Sequence, residues 1–284
     1  IHTDTGAVLG AAVEADLTVT IGRWKPGLLA APGCVHAGDV YCVDIGLDLA
    51  ATVDPALMNP MAQLLEISDI EGWAPQVRDG DAKWDRGHVG IFGGGGAATL
   101  ASHGAFRGGA GLVTLFAPKA MWEHFHGLWP EVILAEPDSL NPDRHDVLVV
   151  GPGLGTDQVD LVLQLWADFP GGLVADADAI TILAGHVHDK PARYPRVITP
   201  HSAEAGRLLG LSRAAVESDR FAAAYMLSQS YTTVLKGPHT LISDDAIWVN
   251  PTGSSRLATA GTGDVLAGMI AGGMAAGLSP AHAA

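Results

Sequence analysis

Cysteine is nearly absent: Cys34 and Cys42 are the two in 284 residues. Two thiols cannot make a disulfide framework, so the expectation is a reducing compartment, the cytoplasm. Basic residues are few, 16 Lys and Arg against 31 Asp and Glu, for a net charge of −15. No basic stripe is available for nucleic acid. A nucleotide ligand is not excluded, since a few N–H groups and one lysine suffice locally. No apolar run reaches the roughly 18 residues of a membrane span, so none is expected. The chain opens on Ile1 without a signal-peptide pattern and is expected to start inside a longer one. No GxSxG or HExxH occurs. Trp122, His124 and His126 cluster, but without Cys or acid at metal-ligand spacing they read as helix surface and core, and no metal site is expected from protein ligands.

What the chain has is glycine (36), proline (17) and 48% hydrophobic residues, enough for a sizeable core with many tight connections. From Lys83 onward short apolar strands alternate with helices. Strands are expected at His88–Phe92, Leu112–Phe116, Asp146–Val150, Leu173–Ala175, Arg196–Thr199 and Thr232–Leu235. Helices are expected at Ala97–Phe106, Asp160–Phe169, Ala203–Leu209 and Phe221–Ser228, and a hairpin across Asp244-Asp245. This is the pattern of a mainly parallel sheet covered on both faces, an α/β three-layer sandwich. Residues 1–48 read as a short α/β piece, with helix-like then strand-like spacing over Ala7–Val19 and a strand at Tyr41–Ile45. Residues 49–72 read as a linker, broken by Asp54-Pro55 and Asn59-Pro60, and residues 73–284 as the main domain.

Ligands of such sheets bind outside the carboxyl ends of the strands. The unusual residues fall there: Gly93–Gly96, Gly151–Gly155, Asp176 and Asp178, His201, and Lys236-Gly237. Asp176 and Asp178 alternate, so at most one is expected to address a site. His201 reads as a solvated loop residue or a ligand contact, and Lys236 as a surface lysine or a phosphate contact. The most informative stretch is ATAGTGDVLAG, Ala258–Gly268. Gly261, Thr262 and Gly263 lead through Asp264 into an apolar run, a turn whose free N–H groups open a helix and attract anions. Asp264 is either an N-cap or a site carboxylate, and the helix dipole favours its ionised form.

Seven segments, in order, resemble one family. They are RGGAGLVT (107–114), WPEVI (129–133), VVGPGLGTD (149–157), VADADA (174–179), ITPHSAEAGRLLG (198–210), VLKG (234–237) and VNPTGSSRLATAGTGDVLAG (249–268). Together they resemble the ADP/ATP-dependent NAD(P)H-hydrate dehydratases, of ribokinase-like fold. Residues 1–48, especially DTGAVLGAAVEADLTVTIG and KPGLL, resemble the end of an NAD(P)H-hydrate epimerase domain. That likeness implies a catalytic aspartate before Ile1, so no epimerase activity is expected here. The family's last helices are expected beyond Ala284.

The resemblance implies repair of a nicotinamide cofactor that has added water at C6, by phosphorylating the C6 hydroxyl and eliminating phosphate. ADP is the implied donor, with ATP an alternative, and Mg2+ the implied ion. Asp264 would be the base. Lys236, Gly237, Pro238, His239, Thr240, Gly261, Thr262 and Gly263 would hold the nucleotide. Ala97, Gly153, His201 and Asp264 would meet the hydrated cofactor. A homo-oligomer is implied. Departures from the family pattern are a short Gly93–Gly96 loop, Arg256 at a small position, Ala260 for glycine and Thr181 for asparagine. The rival readings are a small-molecule kinase of the same fold and a non-catalytic nucleotide-binding relative.

Overall fold

Strands that are apolar on both faces must be covered on both faces, and the computed structural model shows how. It describes residues 1–47, 61–75, 77–186 and 193–284. In chain order the strands are β1 (Leu17–Ile21), β2 (Asp39–Val43), β3 (Gln63–Leu64), β4 (His88–Phe92), β5 (Leu112–Phe116), β6 (Ile133–Ala135), β7 (Val147–Val150), β8 (Gly172–Ala175), β9 (Arg196–Ile198), β10 (Thr232–Leu235), β11 (Leu241–Ser243) and β12 (Ile247–Val249). The helices are α1 (Pro26–Leu29), α2 (Gly33–Ala37), α3 (Ile67–Trp73), α4 (Gly95–Gly108), α5 (Val159–Asp168), α6 (Asp178–His186), α7 (Ser202–Leu209), α8 (Arg213–Ser218), α9 (Arg220–Ser228), α10 (Thr262–Ala275) and α11 (Pro280–Ala283).

Ten strands form one sheet in the order β3-β12-β11-β10-β9-β8-β7-β4-β5-β6. Pairing is parallel except for β10-β11 and β11-β12, the expected hairpin. Alternate residues feed two cores. Leu148, Val150, Leu173, Ile198 and Leu235 meet Val162 and Trp166 of α5, Ile180 and Leu183 of α6, Ala205 of α7 and Phe221 of α9. Val147, Val149, Val174, Val197 and Val234 meet Ala98, Ala101 and Ala105 of α4 and Ala267, Ile270 and Ala271 of α10. The three-layer sandwich expected from the alternation is therefore the observed one.

Differences from expectation lie where apolar patterning is weak. Residues 7–16 form no helix, and β1 begins only at Leu17. The second half of the expected linker is part of the fold: Gln63 and Leu64 pair with Trp248 and Val249 at the sheet edge, and α3 follows. Two residues of strand carry too little periodicity to be seen in sequence. The first half of that linker, 49–60, lies outside the described residues. β6 and α6 had no clear signal either. Near Trp122 the chain forms a 3-10 turn over Lys119–His124, with Trp122 Nε1 donating to Ala117 O at 2.9 Å.

One contact fixes the geometry of the ligand edge. Helices α4 and α10 lie backbone against backbone on the same face. A Cβ on Gly104 would stand 2.3 Å from Val265 O, on Gly108 2.2 Å from Met269 O, on Gly268 2.0 Å from Ala101 O, and on Gly272 2.3 Å from Ala105 O. Each is well inside van der Waals contact, so only glycine admits this approach. Gly268→Ala is expected to lower stability by about 1–3 kcal/mol, the cost of overpacking a dense interior. Thermal denaturation with an unchanged midpoint would refute this close approach.

Candidate active site

Neighbouring strands β4 and β7 send their chains in opposite directions, β4 to β5 and β7 to β8, which opens a crevice at their carboxyl ends. The loops that leave them cross there in contact. Gly94 N donates to Pro152 O at 2.9 Å. A Cβ on Gly153 would lie 2.5 Å from Gly94 O and 3.3 Å from Ala97 Cβ. Ala97 and Gly153, placed together by the resemblance, are thus neighbours. Gly96 and Ala97 belong to the first turn of α4, and its close contact with α10 carries both helix starts to the same edge.

The start of α10 is built as expected. Gly261 is the N-cap residue, in the left-handed region at φ 91°, and a Cβ there would meet Leu100 Cδ1 at 2.4 Å. Thr262 Oγ1 shares a hydrogen bond with Thr259 Oγ1 at 3.1 Å. Asp264 lies in the first helical turn and makes no capping hydrogen bond, so the N-cap alternative is excluded. Ala260 and Arg256 are exposed on the approach to this turn.

Three other strand ends converge on it. β10 runs into Lys236, whose Nζ donates to Asp176 Oδ1 at 2.8 Å, just past β8. Thr199, just past β9, donates its Oγ1–H to the same oxygen at 2.6 Å. Asp176 is almost fully enclosed, 2% exposed, while Lys236 is partly open. A Cβ on Gly263 would stand 3.3 Å from Lys236 Nζ and 3.7 Å from Asp176 Oδ2. Without one, the helix N–H groups, an ammonium and a carboxylate face one space. Burial foremost, then the charge of Asp176, pushes the Asp264 carboxyl above the ordinary aspartate range, and Lys236 opposes the shift. The helix dipole was expected to favour the ionised form; burial beside a second carboxylate outweighs it.

Alternation does not decide between Asp176 and Asp178, because β8 has already ended and Ala177 adopts φ 49°. Asp176 turns to Lys236, and Asp178 Oδ2 accepts from Gly155 N at 2.8 Å, closing the loop after β7. Asp176, one of a pair the sequence left open, and Thr199, which it did not single out, are brought to Lys236. Their signal is a polar residue directly following a fully buried strand. Thr181 Oγ1, at the family asparagine position, accepts from Arg207 Nη2 at 3.3 Å.

His201 and Lys236 form a parallel bridge beyond their strands, and Lys236 N donates to Pro200 O at 2.9 Å. His201 Nδ1 accepts from Ala203 N and Glu204 N, and His201 N donates to Glu204 Oε2, a reciprocal cap on α7. Its Nε2 edge alone is left to face a ligand, 3.5 Å from Glu204 Oε1. After Lys236, Gly237 leaves no room for a side chain, since a Cβ would meet the Arg220 guanidinium at 2.8 Å. Pro238 and His239 turn the loop, and Thr240 closes it by donating its Oγ1–H to Gly237 O at 3.3 Å.

Nucleotide fits this edge by its chemistry: N–H donors at a helix start and one mobile ammonium suit phosphate. Asp176 and Asp264 offer carboxylate oxygens of the kind Mg2+ takes, one or two from protein and the rest from phosphate and water.

Comparison with known proteins places the chain. The family model for NAD(P)H-hydrate dehydratase matches residues 89–284. A bifunctional NAD(P)H-hydrate repair enzyme of Mycobacterium tuberculosis is 39% identical over 301 residues, covering 100% of this chain and 58% of the relative. The chain thus spans little more than half the length of that relative. The crystal structure of the ADP/ATP-dependent NAD(P)H-hydrate dehydratase from Bacillus subtilis, co-crystallised with ATP and Mg2+, has a TM-score of 0.71 and 28% identity, covering 80% of this chain and 85% of that one. A ribokinase-like superfamily protein of Enterococcus faecalis superposes with a TM-score of 0.64 and 28% identity over 76% of this chain and 80% of its own. The site geometry and these matches agree: the chain belongs to the NAD(P)H-hydrate dehydratase family.

Proposed function

We propose that this chain restores NAD(P)H from its hydrate, with ADP as phosphoryl donor and the domain of the ten-stranded sheet, from β3 onward, as the catalytic domain. Residues 1–48 are then the tail of an epimerase-like domain. The observation that carries the reading is the meeting of Lys236, Asp176, Gly263 and Asp264 at the start of α10.

Hydroxide is a poor leaving group and phosphate a good one, so the hydrate hydroxyl must first be phosphorylated. Asp264 takes the hydroxyl proton as that oxygen attacks the terminal phosphorus of ADP, and the bond to the AMP oxygen breaks. The N–H groups of the first α10 turn face the charge that builds on the phosphoryl oxygens. Lys236 exchanges Asp176 for phosphate, and the released Asp176 carboxylate faces the same space. Mg2+, when bound, would neutralise phosphate charge beside Asp176 and Asp264. Elimination then breaks the C6–O bond, releasing phosphate and a ring proton and restoring the dihydronicotinamide. Ala97 and Gly153 form the wall for the hydrate, with the His201 Nε2 edge beside Lys236.

Asp264→Asn separates base from scaffold, since the carboxylate makes no capping bond. The expected kcat, read as regained near-ultraviolet absorbance of the dihydronicotinamide, falls about 10²–10⁴-fold. ADP binding by calorimetry survives. Turnover near that of the wild type would remove Asp264 from the chemistry. Because the Asp264 pKa is raised in the folded state, ionising it costs stability. That contribution favours folding below the unfolded-state pKa and is lost as pH rises through the folded value. The Asn variant should therefore melt higher than wild type at neutral pH, with the gap closing in acid.

The same shift sets the acid limb of kcat/KM, which should lie above the ordinary aspartate range. Asp176→Asn removes a charge that raises the Asp264 pKa, so the limb moves to lower pH. A limb unmoved by that change would show that Asp264 is not the titrating base.

Lys236→Ala removes a charge-assisted phosphate contact and should weaken ADP by about 1.5–3 kcal/mol. Unchanged affinity would take Lys236 out of the nucleotide site.

A further inference from the structure

The nucleotide loop is held from behind by the N-terminal unit. His239 lies in the left-handed region, φ 50°, uncommon for a residue with a side chain. Its ring does not turn to the phosphate space. Nδ1 lies 2.6 Å from Leu29 O, at the end of α1. A carbonyl only accepts, so Nδ1 carries the proton and donates it. Leu29 is 7% exposed, and Ala30 is fully buried in the same core as β8, β9 and β10.

The first residues of the loop are supported by a side chain of α9. Arg220 is fully buried and donates to Leu235 O at 3.0 Å, and to Lys236 O. Its guanidinium is the floor beneath Gly237. The Cys34 thiol, in α2, is near enough for the two groups to influence each other's ionisation. So the end of α1 bonds the far turn of the loop, while Arg220 supports its first residues.

The N-terminal unit transmits position because its own backbone is jammed. Gly27 N donates to Thr3 O at 2.7 Å. A Cβ on Gly27 would lie 2.2 Å from His2 O, and one on Gly33 1.9 Å from Gly27 O. Neither helix can shift without moving the other.

We infer that Pro26–Ala37 is a latch for the nucleotide loop: the His239–Leu29 hydrogen bond ties loop 236–240 to the N-terminal unit, so nucleotide affinity and docking of that unit are coupled. The inference rests on 236–240 being the nucleotide loop. His239 is then a positioning residue, acting through the backbone, and does not contact the nucleotide through its ring. Coupling of this kind is reciprocal: whatever the docked unit adds to nucleotide affinity, bound nucleotide adds to docking.

The test uses ADP with Mg2+ on the whole chain. Hydrogen exchange of the wild type, followed by mass spectrometry, should slow over residues 27–38 when ADP binds. By calorimetry, His239→Ala and Gly27→Ala should each weaken ADP about tenfold. The double variant should be little worse than either, because both break one coupling. His239→Asn should retain most of the affinity, since its amide can donate to Leu29 O and asparagine tolerates the left-handed region. Unchanged exchange over 27–38 with ADP bound overturns the latch, and needs no variant to fold. So does normal ADP affinity in a folded Gly27→Ala, which would leave His239 a direct contact. A wild type that does not bind ADP at all overturns both the latch and the nucleotide reading beneath it.

Discussion

The contact between α4 and α10 is the constraint on which the rest of the site depends. Helices with side chains between them stand 8–10 Å apart. Here glycines at 104, 108, 268 and 272 let carbonyls of one helix enter the space a Cβ would take on the other. That approach brings the two helix starts to one sheet edge. The first turn of α4 then walls the crevice between β4 and β7, and that of α10 faces Lys236 and Asp176. Glycines in mid-helix cost roughly 0.5–1 kcal/mol each in backbone freedom. The close-packed interior behind them offsets this by burying Ala101, Ala105, Ala267 and Ala271 completely.

On that frame one cation stands among carboxylates. Asp176 is enclosed and shared between Lys236 and Thr199, and Asp264 is half-buried beside it. Two carboxylates and one ammonium leave the cluster short of positive charge. Burial first, and then the nearby charge of Asp176, holds Asp264 above its ordinary range. Phosphate would draw Lys236 forward and leave Asp176 uncompensated, which a divalent cation would repair.

The sheet was legible in the sequence because its strands are buried on both faces and read as continuous apolar runs with polar residues at one end. Lys236 and Asp264 stand out at those ends, and Gly153 and Ala97 through the family segments. Other features are harder to read locally. Asp176 and Asp178 look equivalent until the chain leaves the strand and Ala177 takes a left-handed turn. Asp264 looked favoured as an anion by the dipole, because burial and the nearness of Asp176 are not written in the helix. His201 could be recognised at a strand end, but its capping exchange with Glu204 also fits any helix start. Arg220 carries no sequence signal for its full burial, since its partners are carbonyls of Leu235 and Lys236, 15 and 16 residues away. The tie between His239 and Leu29 spans 210 residues and rests on a backbone acceptor. No periodicity records such a bond.

We propose that Lys236 holds the donor phosphate at the start of α10 and gives up Asp176 to do so. A crystal structure of the chain with ADP and Mg2+ is the direct test. The terminal phosphate is expected between Lys236 Nζ and the N–H groups of the first α10 turn, with the Lys236–Asp176 pair opened. ADP bound elsewhere, with Lys236 still 2.8 Å from Asp176 Oδ1, would contradict it.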